Sequence, residues 1–132
     1  MYKILIADDE KEIVNLLKDY FEINGYMVYT AYNGKEAVEK SSLSPDLILL
    51  DINMPEGDGL SVCRRIREYV SCPILFLTAK IEESDKINGF AAGGDDYIIK
   101  PFYSQLYCFI IIYIRIDKKF FLFSIVCFDI FL

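Results

Sequence analysis

Five polar residues stand directly at the ends of short apolar runs: Asp8 and Asp9 after Ile4–Ala7, Asp51 after Leu47–Leu50, Thr78 after Ile74–Leu77, and Lys100 after Tyr97–Ile99. Carboxylates gathered in one place repel, so keeping three together calls for a cation. A hard, oxygen-seeking Mg²⁺ held by one or two carboxylates, waters and a phosphoryl group fits such a set. A carboxylate can also be the nucleophile that accepts a phosphoryl group. A hydroxyl and an ammonium would then meet the equatorial oxygens as charge develops. Asp51 is the best candidate for acceptor. Its run reads as a central strand, and the loop behind it is broken by Pro55, Gly57 and Gly59, so that backbone groups can approach. Taken singly, each residue has a plainer use: Asp9 as a helix cap, Asp51 and Thr78 as strand ends, Lys100 as a solvated charge. The joint pattern is harder to dismiss.

These residues need elements to hold them. Apolar runs of four suit strands buried on both faces of a parallel sheet. Between them, Ile13, Leu16, Leu17, Tyr20 and Phe21 fall on one face of a helix. Asp9 and Glu12 have capping-box spacing ahead of it, and Asn24-Gly25 is a stop. Met27–Ala31 suits an outer strand, and Lys35–Ser41 a short helix behind Asn33-Gly34. Leu60–Tyr69 reads as a helix with Cys63 and Ile66 inward and Arg64, Arg65 and Arg67 outward. A polar helix is predicted from about Glu82, with Ile87, Phe90 and Ala91 inward, ending at Gly93-Gly94. Alternating strands and helices predict an α/β doubly wound parallel sheet. In such a sheet the carboxyl ends of the strands share one edge, where the crevice forms.

The totals narrow the function. The chain has 132 residues, room for one domain, with 20 acidic and 14 basic residues and a net charge of −6. That balance argues against nucleic-acid binding, which needs a basic face. There is no histidine, and the four cysteines form no CxxC pair, so no zinc pattern can be assembled. Spaced thiols without a signal peptide suggest a cytoplasmic setting.

Residues 1–102 resemble the receiver domain of two-component response regulators, the CheY-like fold. The carrying motifs are Ile6-Ala7-Asp8-Asp9-Glu10, Leu49-Leu50-Asp51-Ile52-Asn53-Met54-Pro55, Leu77-Thr78-Ala79-Lys80 and Asp95-Asp96-Tyr97-Ile98-Ile99-Lys100-Pro101-Phe102. The resemblance implies a five-stranded sheet of order 2-1-3-4-5, with helices on both faces, the first four of them in residues 1–102. It implies that Asp51 takes phosphate from a phosphohistidine of a sensor histidine kinase, in a switch that is not an enzyme but promotes its own phosphorylation and dephosphorylation. Asp9 and Asp51 would bind Mg²⁺ directly, Asp8 through water, and Asn53 through its backbone carbonyl. Thr78 and Lys100 would contact the phosphoryl oxygens, Tyr97 would swing inward with Thr78, and the Lys100-Pro101 peptide would be cis. The missing histidine agrees, since the donor must then be another protein. The last motif looks most like regulators that carry a winged-helix DNA-binding domain and control transcription. A phosphatase of the haloacid dehalogenase type is an alternative, but it wants an Asp where Asn53 stands.

Residues 103–132 are a different kind of sequence: 22 of 30 are apolar, and Gly, Pro, Ala and Glu are absent. Counted from Lys100, related regulators usually carry a glutamate at +6 and an arginine at +10 on a last helix that forms a dimer face. Here Leu106 and Ile110 stand there, which puts a phosphorylation-driven receiver dimer in doubt. Four readings of the tail stay open. It could adhere to a membrane, although Leu106–Ile114 and Phe120–Phe128, about nine uncharged residues each, fall short of the roughly 20 a span needs. It could form a β-hairpin, or an atypical surrogate for the last helix. The abrupt change of composition favours a truncated or out-of-frame ending with no DNA-binding domain, and hence a regulator that is non-functional or interferes with the intact one.

Overall fold

The computed structural model describes residues 2–54, 58–78 and 93–99, with the backbone alone for Thr78 and 96–99. In chain order the elements are β1 (Lys3–Ala7), α1 (Lys11–Ile23), β2 (Met27–Ala31), α2 (Gly34–Ser41), β3 (Leu47–Asp51), α3 (Gly59–Arg67), β4 (Ile74–Thr78) and β5 (Asp96–Ile99). The strands form one sheet of order β2-β1-β3-β4-β5, and every pairing is parallel. The expected doubly wound fold and strand order are borne out. The helix predicted from Glu82 and the segment 103–132 lie outside the described residues.

Alternation along the strands builds two cores. Ile4, Ile6, Leu47, Leu49, Leu75 and Leu77 pack with Val14, Leu17 and Phe21 of α1 on one face. Leu5, Ala7, Ile48, Leu50, Ile74 and Phe76 pack with Ala37 of α2 and Val62, Cys63 and Ile66 of α3 on the other. The four-residue apolar runs are thus explained: β1, β3 and β4 are covered on both sides and have no solvent face to mark with polar residues. Burial of Cys63 pushes its thiol up to about 11, so it stays protonated and packs as a small apolar group.

The helices obey local signals, with three departures. Asn33 caps α2 through Glu36 N–H at 2.9 Å, and Gly25, at φ +90°, ends the turn after α1. Asp9 does not cap α1. The residue at that position is Glu10, whose side chain makes no capping bond; its own N–H donates to Asp8 Oδ1 at 2.9 Å instead. The buried stripe of α1 is Val14, Leu17 and Phe21, while Leu16 is 57% exposed. At 100° per residue this turns the helix roughly 60° from the face that its periodicity predicts. Val14 takes the place against the sheet expected for Leu16, with Ile13 and Tyr20 flanking it.

Arg67 is the third departure. Rather than facing solvent, its guanidinium donates to Gly93 O at 2.9 and 2.6 Å, to Cys72 O at 2.6 Å and to Asp95 Oδ2 at 2.7 Å. The same Asp95 oxygen accepts from Ile74 N–H at 2.8 Å. One side chain thereby joins the end of α3 to the approaches of β4 and β5. Gly94 permits the close fit, since a Cβ there would run into the Phe76 ring.

The turned face of α1 can be checked by urea unfolding. Leu17→Ala should cost about 2–5 kcal/mol, as a buried leucine truncated in a packed core does, whereas Leu16→Ala should fall within about 0.5 kcal/mol of the parent. Equal losses would contradict the observed orientation.

Candidate functional site

The site follows from strand register. In the parallel pair β1–β3, Ala7 lies opposite Leu50, so the next step along both strands brings Asp8 level with Asp51. Asp8 continues the alternation of Ile4 and Ile6, and Asp51 that of Leu47 and Leu49, so both carboxylates leave the sheet on the α1 side. Asp8 is 0% and Asp51 4% exposed; Asp9 is exposed. Carboxylate oxygens from Asp8, Asp9 and Asp51 all lie within 4.8 Å of one another.

Backbone groups fix the two buried acids. Asp8 Oδ1 accepts from Glu10 N–H, and the Asp8 amide donates to Ala31 O at 3.0 Å, tying the end of β1 to β2. Asp51 Oδ1 accepts from Asn53 N–H at 3.1 Å, a short turn that sets the rotation of the carboxylate. The next amide, Ile52 N–H, donates to Leu77 O at 3.2 Å and holds the segment behind Asp51 against β4. At an effective dielectric of about 20, two ionised carboxylates this close repel by roughly 3 kcal/mol or more. Positive charge must offset that if both stay ionised. Three oxygen donors of this hardness and spacing suit a Mg²⁺ ion better than a soft metal.

Asn53 sits beside the cluster with its side chain exposed. Thr78 ends β4 next to Leu77, the residue paired with Asp51, and itself pairs with Ile99, the last described residue of β5. Tyr97 lies on β5 opposite Phe76. The side chains of Thr78 and Tyr97, and all of Lys100 and Pro101, lie outside the described residues. A cleft lined by Ser44, Asp46, Tyr69 and Cys72 precedes β3 and β4 at the opposite edge of the sheet and contains none of the cluster. Among the described residues, no helix is long and apolar enough to cross a membrane.

Comparison with known proteins decides the family: the response regulator receiver domain matches residues 4–108. The chain belongs to the response regulator receiver family. Among curated relatives it is 52% identical over 101 residues to the transcriptional regulatory protein ResD of Bacillus subtilis (strain 168). It is 50% identical over 102 residues to the alkaline phosphatase synthesis transcriptional regulatory protein PhoP of the same organism. Each alignment takes in 76% of this chain and 42% of the relative, so the chain spans less than half the length of either. A crystal structure of a two-component response regulator from Clostridium difficile superposes with a TM-score of 0.85 at 36% identity, covering 90% of this chain and all of that one. The receiver domain of a sensor histidine kinase from Pseudomonas aeruginosa PAO1, solved with a magnesium ion coordinated in its active-site cleft, gives 0.76 at 30% identity over 86% of this chain and 98% of that one. Receivers bind Mg²⁺ at an acidic pocket and take phosphate from sensor histidine kinases; in this chain the carboxylates of Asp8, Asp9 and Asp51 form an acidic cluster.

One structural support outside the acid cluster was missed in the sequence. The receiver's α3 begins against Asp51, and its cap is Asp58, whose side chain accepts from Ser61 N–H at 2.9 Å and from Ser61 Oγ at 3.2 Å. The Asp58-x-x-Ser61 spacing was the available signal. The Ser61 N–H bond, helped by the Ser61 hydroxyl, the Leu60 N–H and Arg64, holds the Asp58 carboxyl below its ordinary value of 3.8, against a smaller opposing effect of burial.

A depressed folded-state pKa means that the cap contributes fully above the unfolded-state value and is lost as pH falls through the lower folded-state value. Asp58→Ala should therefore cost about 1 kcal/mol at neutral pH. In urea melts repeated at falling pH, that difference should shrink only below pH ~4. A difference that persists unchanged in strong acid would show that the carboxylate is not the cap.

Proposed function

We propose that this receiver is a phosphoryl-accepting switch in which Asp51 is the acceptor and a sensor histidine kinase the donor. The observation that carries the reading is the placing of Asp51, level with Asp8 on adjacent strands and held by Asn53 N–H, among three carboxylates at the carboxyl edge of the sheet. Asp51 attacks the phosphorus of a phosphohistidine. The P–N bond breaks, its electron pair leaves with the imidazole, and an acyl phosphate forms on the carboxylate. Asp8, Asp9, Asp51 and the backbone carbonyl of Asn53 would hold Mg²⁺, whose charge would offset the anionic carboxylates and phosphoryl oxygens.

Thr78 and Lys100 are assigned to the phosphoryl oxygens, and Tyr97 to the readout that follows Thr78. This assignment rests on the receiver motifs and, for Thr78, on a backbone register that ends β4 beside Asp51. The acyl phosphate at Asp51, carrying a charge of about −2 in place of the carboxylate's single charge, draws the hydroxyl inward and biases the switch. Residues 1–102 are the receiver proper, and with Leu106 and Ile110 at positions that related receivers fill with charge, we expect no phosphorylation-dependent dimer. In a full-length relative the output is transcriptional control. The match to the receiver family weighs against the phosphatase reading.

Incubation with Mg²⁺ and radiolabelled acetyl phosphate tests the assignment. The chain should acquire a label that is lost in alkali, and both Asp51→Asn and omission of Mg²⁺ should reduce it to background. Labelling that survives Asp51→Asn would refute Asp51 as the acceptor.

A further inference from the structure

Gly59 is the first residue of α3 and is buried. Its conformation does not call for glycine: it is helical, unlike Gly25, which sits at φ +90° with open space around it. Space calls for it. A Cβ on Gly59 would stand 2.5 Å from Asp51 O, 2.6 Å from Ile52 Cα and 3.1 Å from Asp51 C. All three are backbone atoms, so no side chain can swing away to make room. The Gly59 N–H, a first-turn donor with no partner inside the helix, donates to Ile52 O at 2.7 Å. The start of α3 is therefore in contact with the Asp51–Ile52 peptide and joined to Ile52 by a short hydrogen bond.

That peptide has two dependants. Asp51 Oδ1 takes its orientation from Asn53 N–H, two residues along the same backbone, and the Asn53 carbonyl is the backbone group proposed for Mg²⁺. A displacement at Ile52 moves both relative to Asp8, which is held separately by Glu10 N–H and by β2. We propose that Gly59 is a positioning residue for phosphoryl transfer, setting Asp51 and the Asn53 backbone against the Asp8–Asp9 pair through its contact with the Asp51–Ile52 peptide. The role rests on the reading of Asp51 as acceptor. It requires the absence of a side chain, so even alanine, a better helix former than glycine, should harm the site.

The test compares Gly59→Ala with Asp58→Ala, which removes the cap of α3 but leaves the Gly59 contact in place. Each is compared with the unsubstituted chain at a temperature where circular dichroism shows all three folded. Mg²⁺ affinity is measured by calorimetry, and the rate of labelling with acetyl phosphate at saturating Mg²⁺. Gly59→Ala should lose roughly 10–100-fold in labelling rate, the scale expected when reacting groups are misplaced by up to about 1 Å, and should bind Mg²⁺ more weakly. Asp58→Ala should stay near the parent in both. Parent-like labelling and Mg²⁺ binding by Gly59→Ala, or parallel losses in the two variants, would overturn the role.

Coupling is reciprocal, so the unsubstituted chain supplies a second readout even if Gly59→Ala fails to fold. Mg²⁺ should slow hydrogen exchange at the Gly59 amide more than at the Ser61 amide, and equal effects would likewise overturn the role. A parent chain that takes no label would bring down the Asp51 reading and the positioning role with it. A labelled parent with an equally labelled Gly59→Ala would overturn the Gly59 role alone.

Discussion

Everything at this site depends on holding two buried carboxylates side by side against their mutual repulsion. Asp8 and Asp51 are brought level by the parallel register of β1 and β3, strands so apolar that a slip in register would move whole rows of side chains between the two cores. The hydrophobic effect fixes the strands, and the strands fix the charges. Glu10 N–H and Asn53 N–H then orient the carboxylates at modest cost, because each donor lies only two residues along the chain from its acceptor. Because of the repulsion that remains, a divalent cation or a change of charge at Asp51 would alter a large local energy.

The edges of the sheet are secured in different ways. At the carboxyl edge the segment behind Asp51 is held by Leu77 O and by the start of α3. At the amino edge, Arg67 gathers the carbonyls of Cys72 and Gly93 with the Asp95 carboxylate, so β4 and β5 enter the sheet joined to α3. The guanidinium is half-buried and its bonds run to two chain segments, at Cys72 and at Gly93–Asp95, which makes it a structural clamp rather than a surface ion pair of the weak kind. Helix α3 is thus anchored at its first residue to the end of β3 and at its last to the approaches of β4 and β5.

Much of this was legible from residue types alone. Apolar runs of four ending in Asp, Asp and Thr place three of the strands and the edge they share, and the acid cluster follows from them. Periodicity was less informative where apolar residues were plentiful. On α1 it marked Leu16 as inward, but Val14 lies there, because apolar residues spread over more of the helix than the sheet can cover. Spacing also suggested Asp9 as a cap, a role that no side chain fills; Asp9 instead joins the cluster. Arg67 was read as facing outward and Gly59 only as a loop breaker that lets backbone groups approach Asp51; the contacts that each makes could not be read. One acts through carbonyls of residues distant in sequence and the other through an interatomic approach, and neither leaves a pattern in a single chain.

If Asp8, Asp9 and Asp51 form one cation site, its occupancy is felt at all three residues. A Mg²⁺ titration followed by amide NMR tests it most directly. Saturable shifts are expected at Asp8–Glu10 and Asp51–Asn53, with the opposite edge around Ser44–Asp46 unmoved, and Asp8→Asn should weaken the binding read from both segments together. Shifts confined to one segment, or a response unchanged by Asp8→Asn, would contradict a shared site.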